Sequence, residues 1–157
     1  IQIYTDRSGY KGGIGAAVVL YKGNNLQPSK VLRYHLGKED SHSTHKAEAV
    51  GTVMATYMAV LTGASAMEGG EKLTLYIDCQ SVIQSLESTK PGPAQYLLNK
   101  FHRIMDTACN KGPREKKMEI QWISAHSKVE GNECIDREAK LTAKGIHNNT
   151  PALLRPR

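Results

Sequence analysis

Apolar and polar positions alternate from the start of the chain, with Ile1 and Ile3 bracketing Gln2 and Tyr4, Thr5 and Asp6 following. A period of two predicts a strand over Ile1–Asp6 that ends on a carboxylate. KGGIGAAVVLY, Lys11–Tyr21, predicts a second strand, with glycines at its start and β-branched residues near its end. Gly23–Asn25 marks a turn. Lys30–Leu36 places Val31, Arg33 and His35 on one face and Leu32, Tyr34 and Leu36 on the other. Three strands joined this closely predict an antiparallel meander. The period then changes: Ala47, Val50, Met54, Tyr57, Met58 and Leu61 recur at helical spacing, with Ser43 or Thr44 as cap and Gly63 as stop. Lys72–Asp78 predicts a strand apolar enough to be buried on both faces. A short helix over Ser81–Glu87, a break at Lys90–Pro93 and a long amphipathic helix over Ala94–Lys111 follow. After a charged loop at Gly112–Lys117 come a fifth strand at Met118–Ser124 and a last helix from Glu130 to Lys144. The order β-β-β-α-β-α-α-β-α predicts an α/β fold, one mixed five-stranded sheet with helices on its faces. Residues 1–144 form the expected domain, and the polar, proline-bearing 145–157 reads as a linker or tail.

Composition narrows the partners. A chain of 157 residues suits one domain, and 39% hydrophobic with 23% charged residues excludes a disordered polymer. Lysine and arginine total 21 against 15 acids, a net charge of +6. That excess favours a polyanion such as nucleic acid, the alternative being charge that only keeps the domain soluble. The three cysteines, Cys79, Cys109 and Cys134, are scattered and form no CxxC, which points to a reducing compartment and away from a zinc ribbon. His42 and His45 have HxxH spacing without a cysteine to complete a site. No apolar run approaches the ~18 residues of a membrane span. The expectation is an intracellular protein of cytoplasm or nucleus, without a membrane partner. A strand pattern that begins at Ile1, with no initiator Met, reads as a domain of a longer protein.

Four acids then stand out. With the first strand central and beside the fourth, Asp6 and Asp78 end neighbouring parallel strands, where ligand sites of open α/β sheets lie. Two carboxylates there repel each other unless a cation compensates. Glu48 lies in the first turns of the helix after the meander, and Asp136 near the start of the last helix. Four acids on four elements can converge as a hard oxygen site for Mg²⁺ or Mn²⁺. Taken singly, each has an ordinary reading. Asp6 can cap a turn with Ser8 and Gly9, Asp78 can N-cap the next helix, and Glu48 and Asp136 can serve helix dipoles. Those readings need four independent coincidences.

TDRSG at Thr5–Gly9, KAE at Lys46–Glu48, IDCQS at Ile77–Ser81 and WISAHSKVEGNECIDREAK at Trp122–Lys140 resemble ribonuclease H of the type 1 class. The resemblance runs in order from Ile1 to about Lys144, and its last segment is most similar to domains carried by reverse-transcriptase polyproteins of retroelements. It implies the ribonuclease H-like fold and a metal-dependent endonuclease that cleaves the RNA strand of RNA/DNA hybrids. The implied mechanism uses two divalent ions, Mg²⁺ or alternatively Mn²⁺, and leaves 5′-phosphate and 3′-hydroxyl ends. The implied metal-binding carboxylates are Asp6, Glu48, Asp78 and Asp136. The family's mobile histidine falls on His126, and a substrate-placing asparagine on Asn132. Ser43, Thr44, His45 and Lys46 are the candidates for 2′-hydroxyl contacts, the groups that separate RNA from DNA. Arg7, Ser8 and Gln80 complete the substrate-binding candidates. Implied partners are the hybrid and other domains of a parent polyprotein, with the isolated domain a monomer.

Two departures stand against the family pattern. The basic, tryptophan-rich protrusion of many cellular members is replaced by the short Lys90–Pro93 break, and Trp122 is the sole tryptophan. Substrate grip then falls to Lys100, Arg103 and the Lys111–Lys117 cluster, or to neighbouring domains. Arg7 stands where the family usually has glycine, so its guanidinium either crowds the substrate or holds a phosphate. The alternative function is a catalytically weak or inactive nucleic-acid-binding module of a reverse transcriptase.

Overall fold

A computed structural model of the chain describes residues 1–41, 43–66, 72–88, 90–92, 94–109, 118–124, 129–145 and 149–154. Its elements are β1 (Gln2–Tyr10), β2 (Gly13–Tyr21), β3 (Lys30–Lys38), α1 (Thr44–Ala66), β4 (Leu73–Ile77), α2 (Gln80–Glu87), α3 (Gln95–Cys109), β5 (Met118–Trp122) and α4 (Glu130–Ala143). One-turn 3₁₀ helices occur at Glu39–Ser41 and Ala152–Leu154. The five strands form one sheet in the order β3-β2-β1-β4-β5. β1–β2 and β2–β3 are antiparallel, and β1–β4 and β4–β5 are parallel. This is the mixed sheet, with a central first strand, that the sequence pattern predicts.

Alternation along the strands divides the interior into two layers. Ile3, Ile14, Val18 and Leu20 turn to one face and pack with Val50, Met54 and Met58 of α1, backed by Leu97, Leu98 and Phe101 of α3. Tyr4, Ala17, Val19 and Tyr21 turn to the other face, under Cys134, Ile135 and Ala139 of α4. Both helices that carry catalytic candidates sit very close to the sheet. A Cβ on Gly51 of α1 would lie 2.3 Å from Thr5 Oγ1, and one on Gly131 of α4 would lie 2.4 Å from the Tyr4 ring. Glycine at these two points lets α1 and α4 press against β1 from opposite sides. A bond from Arg33 Nε to Glu138 Oε2, 2.6 Å, ties α4 to β3 as well.

Two boundaries depart furthest from the sequence pattern. β1 does not stop at Asp6 but runs to Tyr10, because β2 pairs with it along the whole of Gln2–Tyr10. β4 pairs with it only as far as Thr5, opposite Ile77. α1 continues through Gly63 to Ala66. One helical glycine costs about 1 kcal/mol, too little to stop a helix held by packing against α3. Residues 149–154 are a docked tail rather than a free linker. Thr150 and Leu154 are buried, and Lys100 Nζ donates to the Leu153 carbonyl.

Candidate active site

β1 and β4 part company after the Thr5–Ile77 pair, and the next residue on each chain is an aspartate. The parting leaves a notch in the sheet with Asp6 on one side and Asp78 on the other. α1 supplies the third acid. Ser43 caps this helix, its Oγ accepting the Lys46 N–H at 3.1 Å. Glu48 follows two residues after Lys46 and is buried. One carboxylate oxygen from each of Asp6, Glu48 and Asp78 lies within 4.8 Å of the other two.

This concentration of acid is electrostatically costly. Burial, then the Asp78 charge, pushes the Asp6 carboxyl up to about 7. Burial, then the charges of Asp78 and Asp6, pushes Glu48 up to about 8. Asp78 is raised as well, chiefly by burial. Glu48 Oε2 and Asp78 Oδ1 are buried and receive no hydrogen bond. Hard oxygen donors, two of them without a protein partner, fit a divalent cation of the Mg²⁺ class.

The fourth predicted acid stands slightly apart. Asp136 Oδ2 accepts a bond from Lys140 Nζ, one helical turn on, at 2.6 Å. Its charge nonetheless contributes to raising Asp6. Because β1 alternates, Asp6 turns toward α4 and Arg7 toward α1. Arg7 Nε donates to Glu48 Oε1 at 3.0 Å, and the Arg7 backbone N–H donates to Asp6 Oδ1 at 2.7 Å. The arginine expected either to crowd substrate or to hold phosphate is thus an internal counter-ion of the acid cluster.

The remaining predicted residues divide by location. His45 Nδ1 lies 3.3 Å from Ser81 Oγ, which in turn lies 3.2 Å from Cys79 Sγ, joining the starts of α1 and α2. Thr44 and Gln80 are exposed at those helix starts, and Lys46 and Ser8 are half-buried. Asn132 is buried, and its Nδ2 donates to the Ser124 carbonyl at 3.5 Å, holding the end of β5 against α4. Arg103 is exposed on α3. His126, His42 and the Lys111–Lys117 cluster lie outside the described residues. Two contacts had not been anticipated. Lys140 is readable as the partner four residues after Asp136. The Trp122 indole N–H, which donates to the Asp78 carbonyl at 3.1 Å and steadies the strand end, has no sequence signal beyond its place at the end of β5.

Comparison with known proteins is consistent with this arrangement. The N-terminal RNase H domain of Rv2228c from Mycobacterium tuberculosis superposes with a TM-score of 0.64 at 12% identity, over 94% of this chain and 99% of that one. RNase H1 from Halobacterium salinarum gives 0.62 at 17% identity, over 92% and 97%. The foamy viral protease-reverse transcriptase gives 0.66 at 15% identity, over 92% of this chain but 20% of the longer viral one. No curated protein sequence matches significantly. The sequence profile of RNase H matches residues 1–144, and so the chain belongs to the ribonuclease H family.

Proposed function

We propose that this chain is a metal-dependent endonuclease that hydrolyses the RNA strand of RNA/DNA hybrids, leaving 5′-phosphate and 3′-hydroxyl ends. The observation that carries the reading is the notch where β1 and β4 part, with three carboxylates from three elements and two unpartnered buried oxygens. Two similar structures, LC11-RNase H1 and the foamy viral protease-reverse transcriptase, are complexes with RNA/DNA hybrid. The net charge of +6 suits such a polyanion.

In this reading Asp6, Glu48 and Asp78 would hold Mg²⁺ or Mn²⁺, and Asp136, now bonded to Lys140, would be a further ligand. Bound divalent ions supply the charge that lowers the pKa of the attacking water and stabilises the phosphate and leaving oxygen in the transition state. Asp6 feels the charges of both Asp78 and Asp136, so it would be the acid shared between the two parts of the cluster. Ser43–Lys46, at the start of the same helix as Glu48, receive the RNA 2′-hydroxyls. His126, after β5, moves a proton during product release. The parent protein is a reverse-transcriptase polyprotein.

Labelled hybrid, RNA/RNA and DNA/DNA duplexes incubated with Mg²⁺, Mn²⁺ or EDTA test this directly. Cleavage of the hybrid alone, stopped by EDTA, is expected. Asp78→Asn is expected to lower the rate by about 10²-fold or more with the circular dichroism spectrum unchanged. Full metal-dependent cleavage by that variant defeats the assignment.

One observation favours a second reading. Arg7 already occupies Glu48 Oε1, which suits a weak or inactive module that binds nucleic acid for a partner polymerase. Hybrid binding without cleavage in either ion is the outcome that selects it.

A further inference from the structure

β1 and α4 lie side by side and carry two series that keep in step. Beyond Tyr4, the β1 residues on the α4 face are Asp6, Ser8 and Tyr10. Asp136, Lys140 and Lys144 follow at intervals of four along one face of α4 and its C-cap. Four strand residues span about 13 Å and eight helical ones about 12 Å. At one end Asp136 faces Asp6; at the other the Lys144 ammonium lies 4.6 Å from the Tyr10 ring centroid. The series ends in a cleft of about 450 Å³ lined by Tyr10, Lys11, Gly13, His35, Lys38 and Lys144.

The cleft shows three signs of a built anion site. The β1–β2 turn has φ of +47° at Lys11 and +79° at Gly12. Both are left-handed, a turn that sterics reserve for Asn, Asp or Gly, so a lysine here is locally disfavoured. Its ammonium lies 5.5 Å from the Tyr10 ring centroid, so one ring carries two like charges, Lys11 and Lys144. An anion between them relieves their repulsion. The nearby acid, Glu39, lies against Gly9, whose place in the alternation puts it on the opposite face of the hairpin. The α4 C-terminus accounts for Lys144, but for neither Lys11 nor Lys38.

We propose that this cleft is a second anchor for nucleic acid, taking backbone phosphates of the duplex whose scissile phosphate lies at Asp6. The proposal rests on the hybrid-nuclease reading for its ligand. A separation of about 13 Å corresponds to about two phosphate steps along the backbone of one strand. Lysine contacts of this kind set register and orientation and read no bases. They give a chain without the basic protrusion a grip of its own.

The test is hybrid binding in EDTA, followed by fluorescence anisotropy across a range of salt. Lys11→Asn/Lys144→Gln keeps a residue that tolerates positive φ in the turn, and its melting curve checks the fold. It is expected to bind about tenfold more weakly and to lower the slope of log affinity against log salt by about two. Lys22→Gln/Lys30→Gln makes the same charge change at the far end of β2 and β3, where the residues are equally exposed. It is expected to leave the slope unchanged. Equal losses in both variants, an unchanged slope in the first, or no binding by the natural chain overturns the proposal. Cleavage reads separately: a natural chain that binds through the cleft yet cuts nothing sinks the nuclease reading and leaves the anchor standing.

Discussion

Arg7 holds one oxygen of Glu48 while leaving the other without a donor. A guanidinium is a permanent cation, so it lowers the cost of the acid cluster and competes with a divalent ion for the same oxygen. Arg7→Gly is therefore expected to tighten Mg²⁺ or Mn²⁺ binding, measured by calorimetry, about tenfold, equivalent to about 1.4 kcal/mol. Asp78→Asn in the same background abolishes that heat if the ion sits in the notch. Equal or weaker binding by the glycine variant means that Arg7 does not compete. Asp6, Glu48 and Asp78 were legible because each stands in a short motif, TDRSG, KAE and IDCQS. The Arg7–Glu48 bond was not, because it joins residues 41 apart in sequence and depends on how closely α1 approaches β1.

Among the elements, α4 positions most of what the site and the cleft share. Its first turn lies against the Tyr4 ring, which is stacked on Tyr76 at 4.7 Å and cannot swing aside freely. Helix propensity alone favours Gly131→Ala by about 1 kcal/mol. The structure predicts the opposite sign, a loss of about 1–3 kcal/mol from overpacking, seen as a lower midpoint in urea denaturation. A more stable alanine variant removes the close approach from the account. Element order was legible because each change of period, from two to 3.6 and back, is long and marked by turns. The end of β1 was not: Asp6–Gly9 has turn composition, yet Gly15, Ala16 and Ala17 opposite extend the ladder to the hairpin. Pairing set that boundary, and pairing is not a local property.

For the molecule as a whole, the buried acids link stability to pH. Unfolded, Asp6 and Glu48 titrate near their usual ~4; folded, they titrate near about 7 and about 8. Between those values the folded state keeps protons that the unfolded chain has lost, so stability falls as pH rises from about 4 to about 8. In EDTA the melting temperature is expected to be higher near pH 5.5 than near pH 8, by about 5 °C. Saturating Mg²⁺ narrows the gap, because the ion binds the deprotonated cluster. A melting temperature that rises over this range in EDTA contradicts the burial of the two acids. The composition foretold a basic globular chain but not the docking of its tail, since that depends on a few polar side chains meeting one strand. Asn149 accepts from the Arg33 amide at 2.7 Å and donates to the Val31 carbonyl at 3.0 Å, and Thr150 bonds the Arg33 carbonyl at 2.6 Å. β3 is the outer strand of the sheet, and an open outer strand is a template on which another chain can add. The tail engages the outward groups of Val31 and Arg33, with the side chains of Asn149 and Thr150 and with their backbone N–H groups, which reach the Arg33 carbonyl at 3.1 and 3.2 Å. A strand arriving at this stretch of β3 finds its bonding groups already taken, so the docked tail shortens the length of edge on which the sheet can grow.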